Sequence, residues 1–156
     1  MCSSDLPALR SELGAQIVNV SSLYGLLAPV GQSAYSASKF ALRGFSEALR
    51  HELAPHGLGV TVVHPGGVKT NIARNARYHS HPFGRAATRE EAVREFDQIA
   101  FTTPERAAKI IHEGVKKGRS RILVGPDAYF FDGLARTMPT HYFDVLAFLE
   151  RLPLRR

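Results

Sequence analysis

Tyr35 and Lys39 stand four residues apart within a stretch, 33–53, whose apolar residues recur at helical spacing. On a helix, residues at positions i and i+4 lie on one face a turn apart, so the lysine ammonium can sit beside the tyrosine phenol. A phenol is a weak base at neutral pH, and an adjacent positive charge favours its phenolate form. The pair therefore predicts a proton donor and acceptor at Tyr35, with Lys39 as its charged partner.

A hydroxyl and an open loop are expected on the same side of the fold as this pair. Ser22 closely follows a β-forming run, Gln16 to Val20. Open α/β folds bind ligands beyond the carboxyl ends of their strands, so Ser22 is predicted to offer its hydroxyl there to a carbonyl oxygen. A second β-forming run, Gly59 to His64, leads into Pro65-Gly66-Gly67-Val68-Lys69-Thr70, whose backbone groups and threonine hydroxyl suit a planar, amide-bearing ring. All these elements are predicted to face one crevice.

Short β-forming runs alternate with helical stretches along the chain, which predicts an α/β fold with a parallel sheet and crossover helices. The predicted strands are Gln16–Val20, Gly59–His64 and Arg121–Val124. The first strand is nearly continuous in β-forming residues, so we expect it to be covered on both faces. Helices are predicted over 6–13, from a Ser33 cap to Leu53, over 89–99, from Pro104 to Gly118 and over 142–152, the last one packing over the pocket or against a second subunit. The helix after Ser33 is predicted from the helical spacing of its apolar residues, which are Ala37, Phe40, Ala41, Phe45, Ala48, Leu49 and Leu53.

The composition is that of a folded domain, because 44% of the 156 residues are hydrophobic and 22% are charged. A chain of this length can bury a sizeable core, so a single domain is expected. The net charge of +6 comes mostly from scattered arginines without an RNA-binding aromatic motif, which favours a basic surface over a nucleic-acid site. No uninterrupted run of about 18 apolar residues occurs, which argues against stable membrane insertion. Cys2 is the only cysteine, consistent with a reducing compartment, and the cytoplasm is the expected location.

The order and spacing of three motifs resemble the catalytic half of the short-chain dehydrogenase/reductase family: Ile17-Val18-Asn19-Val20-Ser21-Ser22, Tyr35-Ser36-Ala37-Ser38-Lys39 and Pro65-Gly66-Gly67-Val68-Lys69-Thr70. The resemblance implies an oxidoreductase that transfers a hydride between NAD or NADP and a small carbonyl or alcohol substrate. It implies that Ser22 holds the substrate oxygen, that Tyr35 transfers the proton, and that Lys39 favours the phenolate and binds the nicotinamide ribose. The implied cofactor-binding residues are Tyr35, Lys39, Pro65, Gly66, Val68 and Thr70. The resemblance implies no metal ion at the site. The resemblance also implies a homo-oligomer formed through the Tyr35 helix, at Ala41, Gly44 and Ala48.

The chain departs from the pattern of that family in its first half. No Gly-rich turn after a strand, no Asn-Asn-Ala-Gly segment and no relay asparagine are found. We therefore expect a partial doubly wound Rossmann-like fold, with about three strands, in a single truncated domain over 1–156. Its expected parts are a start without family counterpart (1–5), a catalytic core (6–70), a substrate loop (71–103), the last helix and strand (104–125) and a C-terminal tail (126–156). The first strand would then have an open edge, and the chain alone is expected to be inactive or nearly so.

Several other interpretations have less support. His79 and His81 could ligate a metal, but no carboxylate or cysteine set accompanies them, which favours an ordinary loop. Ser22 lacks the Gly-x-Ser-x-Gly elbow of hydrolases, and the Gly-Lys dipeptide of NTPase phosphate loops is absent. Sugar-nucleotide epimerases share the tyrosine and lysine pair, but the Ala-Ser-Lys context favours the shorter dehydrogenases. A non-catalytic binding module that keeps the fold stays open as the rival function, and contact of the tail with a membrane surface stays open as a minor one.

Overall fold

A three-stranded parallel sheet forms the centre of the fold. The computed structural model describes residues 5–12, 14–77 and 88–151. Its strands, in their order across the sheet, are β1 (Gln16–Val20), β2 (Gly59–Pro65) and β3 (Arg121–Val124). Both neighbouring pairs are parallel, with Val20 opposite Val63 and Val63 opposite Ile122. The predicted α/β architecture with three parallel strands is confirmed, and the strand bounds differ from the prediction only at Pro65.

Helices connect and flank the strands. In the described ranges they are α1 (Asp5–Ser11), α2 (Ser33–Leu53), α3 (Ile72–Asn75), α4 (Arg89–Ile99), α5 (Pro104–Lys116), α6 (Pro126–Thr137) and α7 (Tyr142–Arg151). Short 3₁₀ turns follow β1 at Leu23–Gly25 and α2 at Ala54–His56. None of the helices within those ranges combines the length and the apolar character needed to cross a membrane.

Local sequence signals account for most helix starts, with two corrections. The predicted helix over 89–99 is confirmed as α4, whose capping box pairs the Thr88 side chain with the Glu91 N–H and the Glu91 carboxylate with the Thr88 N–H. Ser33, the predicted cap of α2, is instead the first residue of that helix. The prediction missed α6, although a proline at the first position, Pro126, and an acidic residue in the first turn, Asp127, are common helix-start signals.

The core lies on both faces of the sheet. Side chains alternate between the two faces along a strand, so Val60 and Val63 of β2 point to opposite sides. On one side, Val60 packs in a cluster with Ile17, Leu49, Leu53 and Leu58. On the other side, Val63 packs in a cluster with Ala107, Ile122 and Val124. A third cluster joins the turn after β1 to α6 and α7 through Leu23, Leu26, Leu27, Leu123, Ala128 and Leu146.

β1 is covered on one face only, which corrects the prediction that both faces are covered. Ile17 is buried in the cluster with α2, whereas Val18 and Val20 are 37% and 51% exposed. The apolar residues of α5 pack on β2 and β3 and leave this face of β1 open. Among the described strands, β1 stands at the edge of the sheet with a partner on one side only. The strand therefore presents both an unpaired edge and two exposed valines.

The predicted apolar residues of α2 are divided between a buried and an exposed part of the helix. Leu49 and Leu53 are buried, and the other members of that set are exposed: Ala37, Phe40, Ala41, Phe45 and Ala48. The face toward β1 instead carries the buried Ser46, whose hydroxyl accepts a hydrogen bond from Asn19 Nδ2 at 3.0 Å. Because serine is small, it lets the helix approach the strand closely.

Candidate active site

Ser22 lies just beyond the carboxyl end of β1, where its backbone is extended, with φ −161° and ψ 167°. Its Oγ accepts a hydrogen bond from the backbone N–H of Tyr24 at 3.1 Å, which caps the 3₁₀ turn Leu23–Gly25. Since a serine hydroxyl is both an acceptor and a donor, this bond leaves the O–H of Ser22 able to donate to another oxygen. The structure therefore places Ser22 at the sheet edge where the sequence predicts it.

A buried histidine that the sequence analysis did not single out holds the Ser22 peptide. Nδ1 of His64 lies 2.9 Å from the carbonyl oxygen of Ser22. A carbonyl oxygen can only accept, so Nδ1 carries the proton and donates. Burial lowers the pKa of His64, and the hydrogen bond to Ser22, which acts in the opposite direction, does not outweigh it. The imidazole is therefore uncharged at neutral pH. Its only sequence signal is a histidine at the end of an otherwise apolar strand.

Tyr35 and Lys39 are brought together near the start of α2, as their spacing predicts. Nζ of Lys39 lies over the face of the Tyr35 ring, 5.5 Å from its centre. The same ammonium donates a hydrogen bond to the backbone oxygen of Val20 at 3.2 Å. The Tyr24 ring packs edge-on against Tyr35, with the ring centres 5.9 Å apart. Tyr35 remains 40% exposed.

α2 approaches the segment after β1 at a point where only glycine fits. The hydroxyl of Ser21 donates to the backbone oxygen of Lys39 at 2.9 Å. A Cβ atom on Gly25 would lie 2.9 Å from that same oxygen and would also overlap the Ser21 hydroxyl. A residue with a side chain would push the helix away from the strand end. This contact therefore holds α2 close to the segment after β1.

The loop 65–70, predicted to bind the cofactor, leaves β2 at the same edge of the sheet. Pro65 is the last residue of β2, opposite Val124 of β3. The N–H of Gly66 donates to the Val124 carbonyl at 2.9 Å, and the N–H of Gly67 donates to the Asp127 carboxylate at 2.6 Å. The first half of the loop is thus bonded to the junction of β3 and α6.

The second half of this loop is bonded to the segment that precedes α5. Val68 forms an isolated parallel bridge with Thr102, and the N–H of Lys69 donates to the Thr102 carbonyl at 2.8 Å. Thr70 is exposed, and its hydroxyl oxygen accepts from the N–H of Ile72 at 3.4 Å. Val68 and Thr70, both predicted to bind the cofactor, therefore lie in the loop that continues beyond the carboxyl end of β2.

An open polar groove of about 580 Å³ lies beside Thr70 and is lined by Lys69, Thr70, Asn71, Arg74, Asp97 and Pro104. Arg74 donates to the Asp97 carboxylate at 3.1 Å and so joins α3 to α4. Three of these six residues, Asn71, Arg74 and Asp97, belong to 71–103, the segment predicted as the substrate loop. His79 and His81 lie outside the described residues. In the part of the chain that is described, no group of three or more His, Cys, Asp or Glu side chains is arranged to hold a metal ion.

Comparisons with known proteins agree with this geometry. A family model described as short chain dehydrogenase matches residues 1–81, which include Ser22, Tyr35, Lys39 and the loop 65–70. A Mycobacterium tuberculosis protein that carries the name oxidoreductase SadH is 46% identical over 145 residues. That match covers 91% of this chain and 51% of SadH.

Two solved Burkholderia structures share the fold. A Burkholderia phymatum short chain dehydrogenase/reductase, in complex with NAD, is 26% identical with a TM-score of 0.67, over 97% of this chain and 55% of that chain. A Burkholderia cenocepacia short chain dehydrogenase, in complex with NADP, is 25% identical with a TM-score of 0.62, over 96% of this chain and 52% of that chain. The chain thus spans about half the length of each of these proteins. By its family-model match, its relatives and its fold, the chain belongs to the short-chain dehydrogenase family.

Proposed function

We propose that this chain forms the catalytic part of an NAD(P)-dependent oxidoreductase that transfers a hydride between nicotinamide and a small carbonyl or alcohol substrate. One observation carries the proposal: Nζ of Lys39 lies over the Tyr35 ring and is bonded to Val20, at the strand end that leads to Ser22. This contact brings a phenol and an ammonium together at the carboxyl edge of a parallel sheet, where open α/β folds bind ligands, and the proposed substrate-holding Ser22 follows the same strand end.

Tyr35 is the proposed acid and base. In the direction of reduction, its hydroxyl gives its proton to the substrate oxygen, and in the direction of oxidation its phenolate takes the proton back. The ammonium of Lys39 offsets the negative charge that proton transfer leaves on Tyr35. The O–H of Ser22, which its bond with Tyr24 leaves available, donates to the same substrate oxygen and holds it near the phenol.

The loop after β2 suits a nicotinamide cofactor, because it leaves the sheet at the carboxyl edge near Tyr35 and Lys39 and Thr70 adds an exposed hydroxyl. The residues proposed to hold the cofactor are Tyr35 and Lys39 on the ribose side and Pro65, Gly66, Val68 and Thr70 on the carboxamide side. When bound, the nicotinamide supplies or accepts the hydride. We propose NAD or NADP, since the two Burkholderia relatives were solved with these cofactors.

The site on this chain suits the nicotinamide end of the cofactor only. A dinucleotide is usually also held through its diphosphate, at a Gly-rich turn and a helix N-terminus. Since the chain spans about half of its relatives, we propose that further chain supplies this contact. The 156-residue chain alone should then bind the cofactor weakly and be inactive or nearly so. Micromolar NADH affinity together with turnover by the isolated chain would contradict this part of the proposal.

The test of the reaction is turnover of ketones and secondary alcohols with NAD(H) and NADP(H) by the full-length protein and its Tyr35→Phe variant. Loss of the phenol O–H should lower kcat by about 10²–10⁴-fold, and the variant should still bind the cofactor through Lys39 and the loop after β2. Tyr129→Phe, which alters an exposed tyrosine on α6, is the matched control and should keep full activity. Equal turnover by Tyr35→Phe would overturn the proposal and favour a non-catalytic binding module.

We also propose a homo-oligomer formed through the outward face of α2. Ala41, Gly44 and Ala48 are exposed there, and no atom lies within 4 Å of where a Gly44 side chain would begin. Phe45 on the same helix is 49% exposed. Gly44→Arg should therefore give monomers in analytical ultracentrifugation, whereas Gly133→Arg, at an exposed glycine of α6, should not. The cytoplasm is the proposed compartment, which the single cysteine favours and cell fractionation would test.

A further inference from the structure

We propose that Asp127 is a positioning residue that holds the loop Gly66–Val68 in the conformation that receives the nicotinamide amide. The inference rests on the proposed function and assigns a part in it to a residue that lies outside the three motifs. Asp127 follows β3, in the first turn of α6, and stands far from the loop in the sequence.

The carboxylate of Asp127 fixes the direction of one loop amide. Its Oδ2 accepts the hydrogen bond from the Gly67 N–H at 2.6 Å, which is short for an N–H to oxygen contact and typical of an ionised acceptor. The preceding amide, that of Gly66, donates to the Val124 carbonyl. Two consecutive amides of the loop are therefore directed toward β3 and α6. The polar groups of the loop that make neither of these two hydrogen bonds face away from β3 and α6.

Two glycines make room for this carboxylate. A Cβ atom on Gly66 would overlap the Asp127 carboxylate, and so would a Cβ atom on Gly125. Gly125 also has φ 100°, a conformation that residues with side chains rarely adopt. The carboxylate thus fills a space that Gly66 and Gly125 leave empty, so the three residues form one packed unit.

The opposite side of the loop is fixed by backbone contacts. The N–H of Thr102 donates to the Gly67 carbonyl at 3.2 Å, and a Cβ atom on Gly67 would lie 2.7 Å from the Ile99 carbonyl. Gly67 is therefore held between Asp127 on one side and the segment 99–102 on the other. Removal of the Asp127 carboxylate would free the loop on one side only. We therefore expect the loop to lose its conformation while the β-sheet stays folded.

One feature separates this arrangement from an ordinary helix-start aspartate. An acidic residue in a first turn favours a helix through the helix dipole, and exposure does not prevent this effect. Oδ1 of Asp127, however, is buried, and no hydrogen-bond partner for it lies among the described residues. A buried carboxylate oxygen without a partner costs free energy, which the dipole effect alone would not require. Asp144, in the first turn of the C-terminal helix α7, is exposed and supplies the matched control.

The experiment compares Asp127→Asn, Asp127→Ala and Asp144→Asn in the 156-residue chain labelled with ¹⁵N. The first readout is backbone amide exchange at Gly67, which needs no activity. Asp127→Ala should raise the Gly67 exchange rate by about 10-fold or more, because a hydrogen bond to a charged group is lost. Asp127→Asn keeps the shape and one acceptor and should give a smaller rise, and Asp144→Asn should give none. Unchanged Gly67 exchange in Asp127→Ala would overturn the inference.

The second readout is the change of the amide chemical shifts of 66–70 as NADH is added to millimolar concentration, which detects weak binding. Asp127→Ala should require about 10-fold more NADH for the same shift change than the wild type and Asp144→Asn. Faster Gly67 exchange with unchanged NADH binding would overturn the positioning assignment. A wild-type loop that does not respond to NADH would overturn the proposed cofactor site, and this inference with it. If Asp127→Ala fails to fold, Gly125→Ala, whose Cβ atom would overlap the Asp127 carboxylate from outside the proposed cofactor site, should produce both effects.

Discussion

The carbonyl oxygen of Ser22 accepts a hydrogen bond from Nδ1 of His64 across 2.9 Å, so a side chain on β2 fixes the peptide of the proposed substrate-holding serine, which follows β1. His64 is fully buried, and its Nε2 has no hydrogen-bond partner within the described residues. A protonated imidazole at this position would place an uncompensated charge between strands. The geometry of the proposed site therefore depends on a histidine that stays neutral.

Stability should fall as the pH is lowered through the range in which free histidine titrates. Burial lowers the pKa of His64 in the folded chain. Near pH 6.5 and below, His64 therefore binds a proton in the unfolded chain but not in the folded chain. The free energy of unfolding declines with falling pH until the pH reaches the lowered pKa of His64 in the folded chain. Urea unfolding at pH 7, 6 and 5 measures this decline. His64→Asn keeps a donor toward Ser22 without titrating and should flatten the curve, whereas His51→Asn, at an exposed position on α2, should not.

Replacing Lys39 with methionine should reduce turnover and leave the fold intact. Lys39→Met keeps the length of the side chain but removes the ammonium that lies over Tyr35 and the bond to Val20. We expect kcat to fall by about 10²-fold, the usual cost of losing one charge-stabilising donor. Steady-state kinetics of the full-length protein at saturating cofactor would measure it. The control is Lys109→Met on the exposed side of α5, and equal kcat values for the two variants would contradict the prediction.

Gly25→Ala should destabilise the protein by about 1–3 kcal/mol, the usual cost of forcing an atom into packed space. The new methyl group would meet the Lys39 carbonyl oxygen and the Ser21 hydroxyl. Gly133→Ala, in the helix α6 with no atom within 4 Å of the new methyl group, should instead stabilise by about 0.5–1 kcal/mol. Chemical denaturation of both variants measures the free energy of unfolding, which should fall in Gly25→Ala and rise in Gly133→Ala. Equal effects would show that Gly25 is not under steric constraint.

A charge on the open face of β1 should reduce aggregation at little cost to stability. Val20 is 51% exposed, so Val20→Lys places its ammonium in water, and charges on edge strands oppose the pairing of strands from different molecules. Light scattering of the 156-residue chain during incubation should show slower growth of particles. The free energy of unfolding should change by no more than about 0.5 kcal/mol. Val62→Lys, at a side chain that is 1% exposed, should prevent folding and serves as the contrast.

The sequence predicted those parts of the fold that depend on local patterns. The strands β1 and β3 match their predicted bounds, and α4 matches because its capping box is a local signal. The pairing of Tyr35 with Lys39 was also predictable, because one helical turn determines it.

Contacts between distant segments were not predictable in the same way. Ser22 meets His64, and Gly67 meets Asp127, only because the sheet places separate strand ends side by side. The helical spacing of the apolar residues of α2 does not tell which of them pack on the sheet and which stay exposed. A close approach such as that at Gly25 has no signature until both partners are in place.

The bridge between Val68 and Thr102 has an evolutionary consequence. The chain leaves the sheet edge at Val68 and returns to it at Thr102. Both ends of the segment between these two residues are therefore held in place by the bridge. The entropy of closing such an excursion rises only slowly with its length, so residues can be inserted, deleted or exchanged there at small cost. Relatives could thus diverge in the molecules they accept while Ser22 and Tyr35, the residues proposed to hold the substrate oxygen and to transfer the proton, stay unchanged.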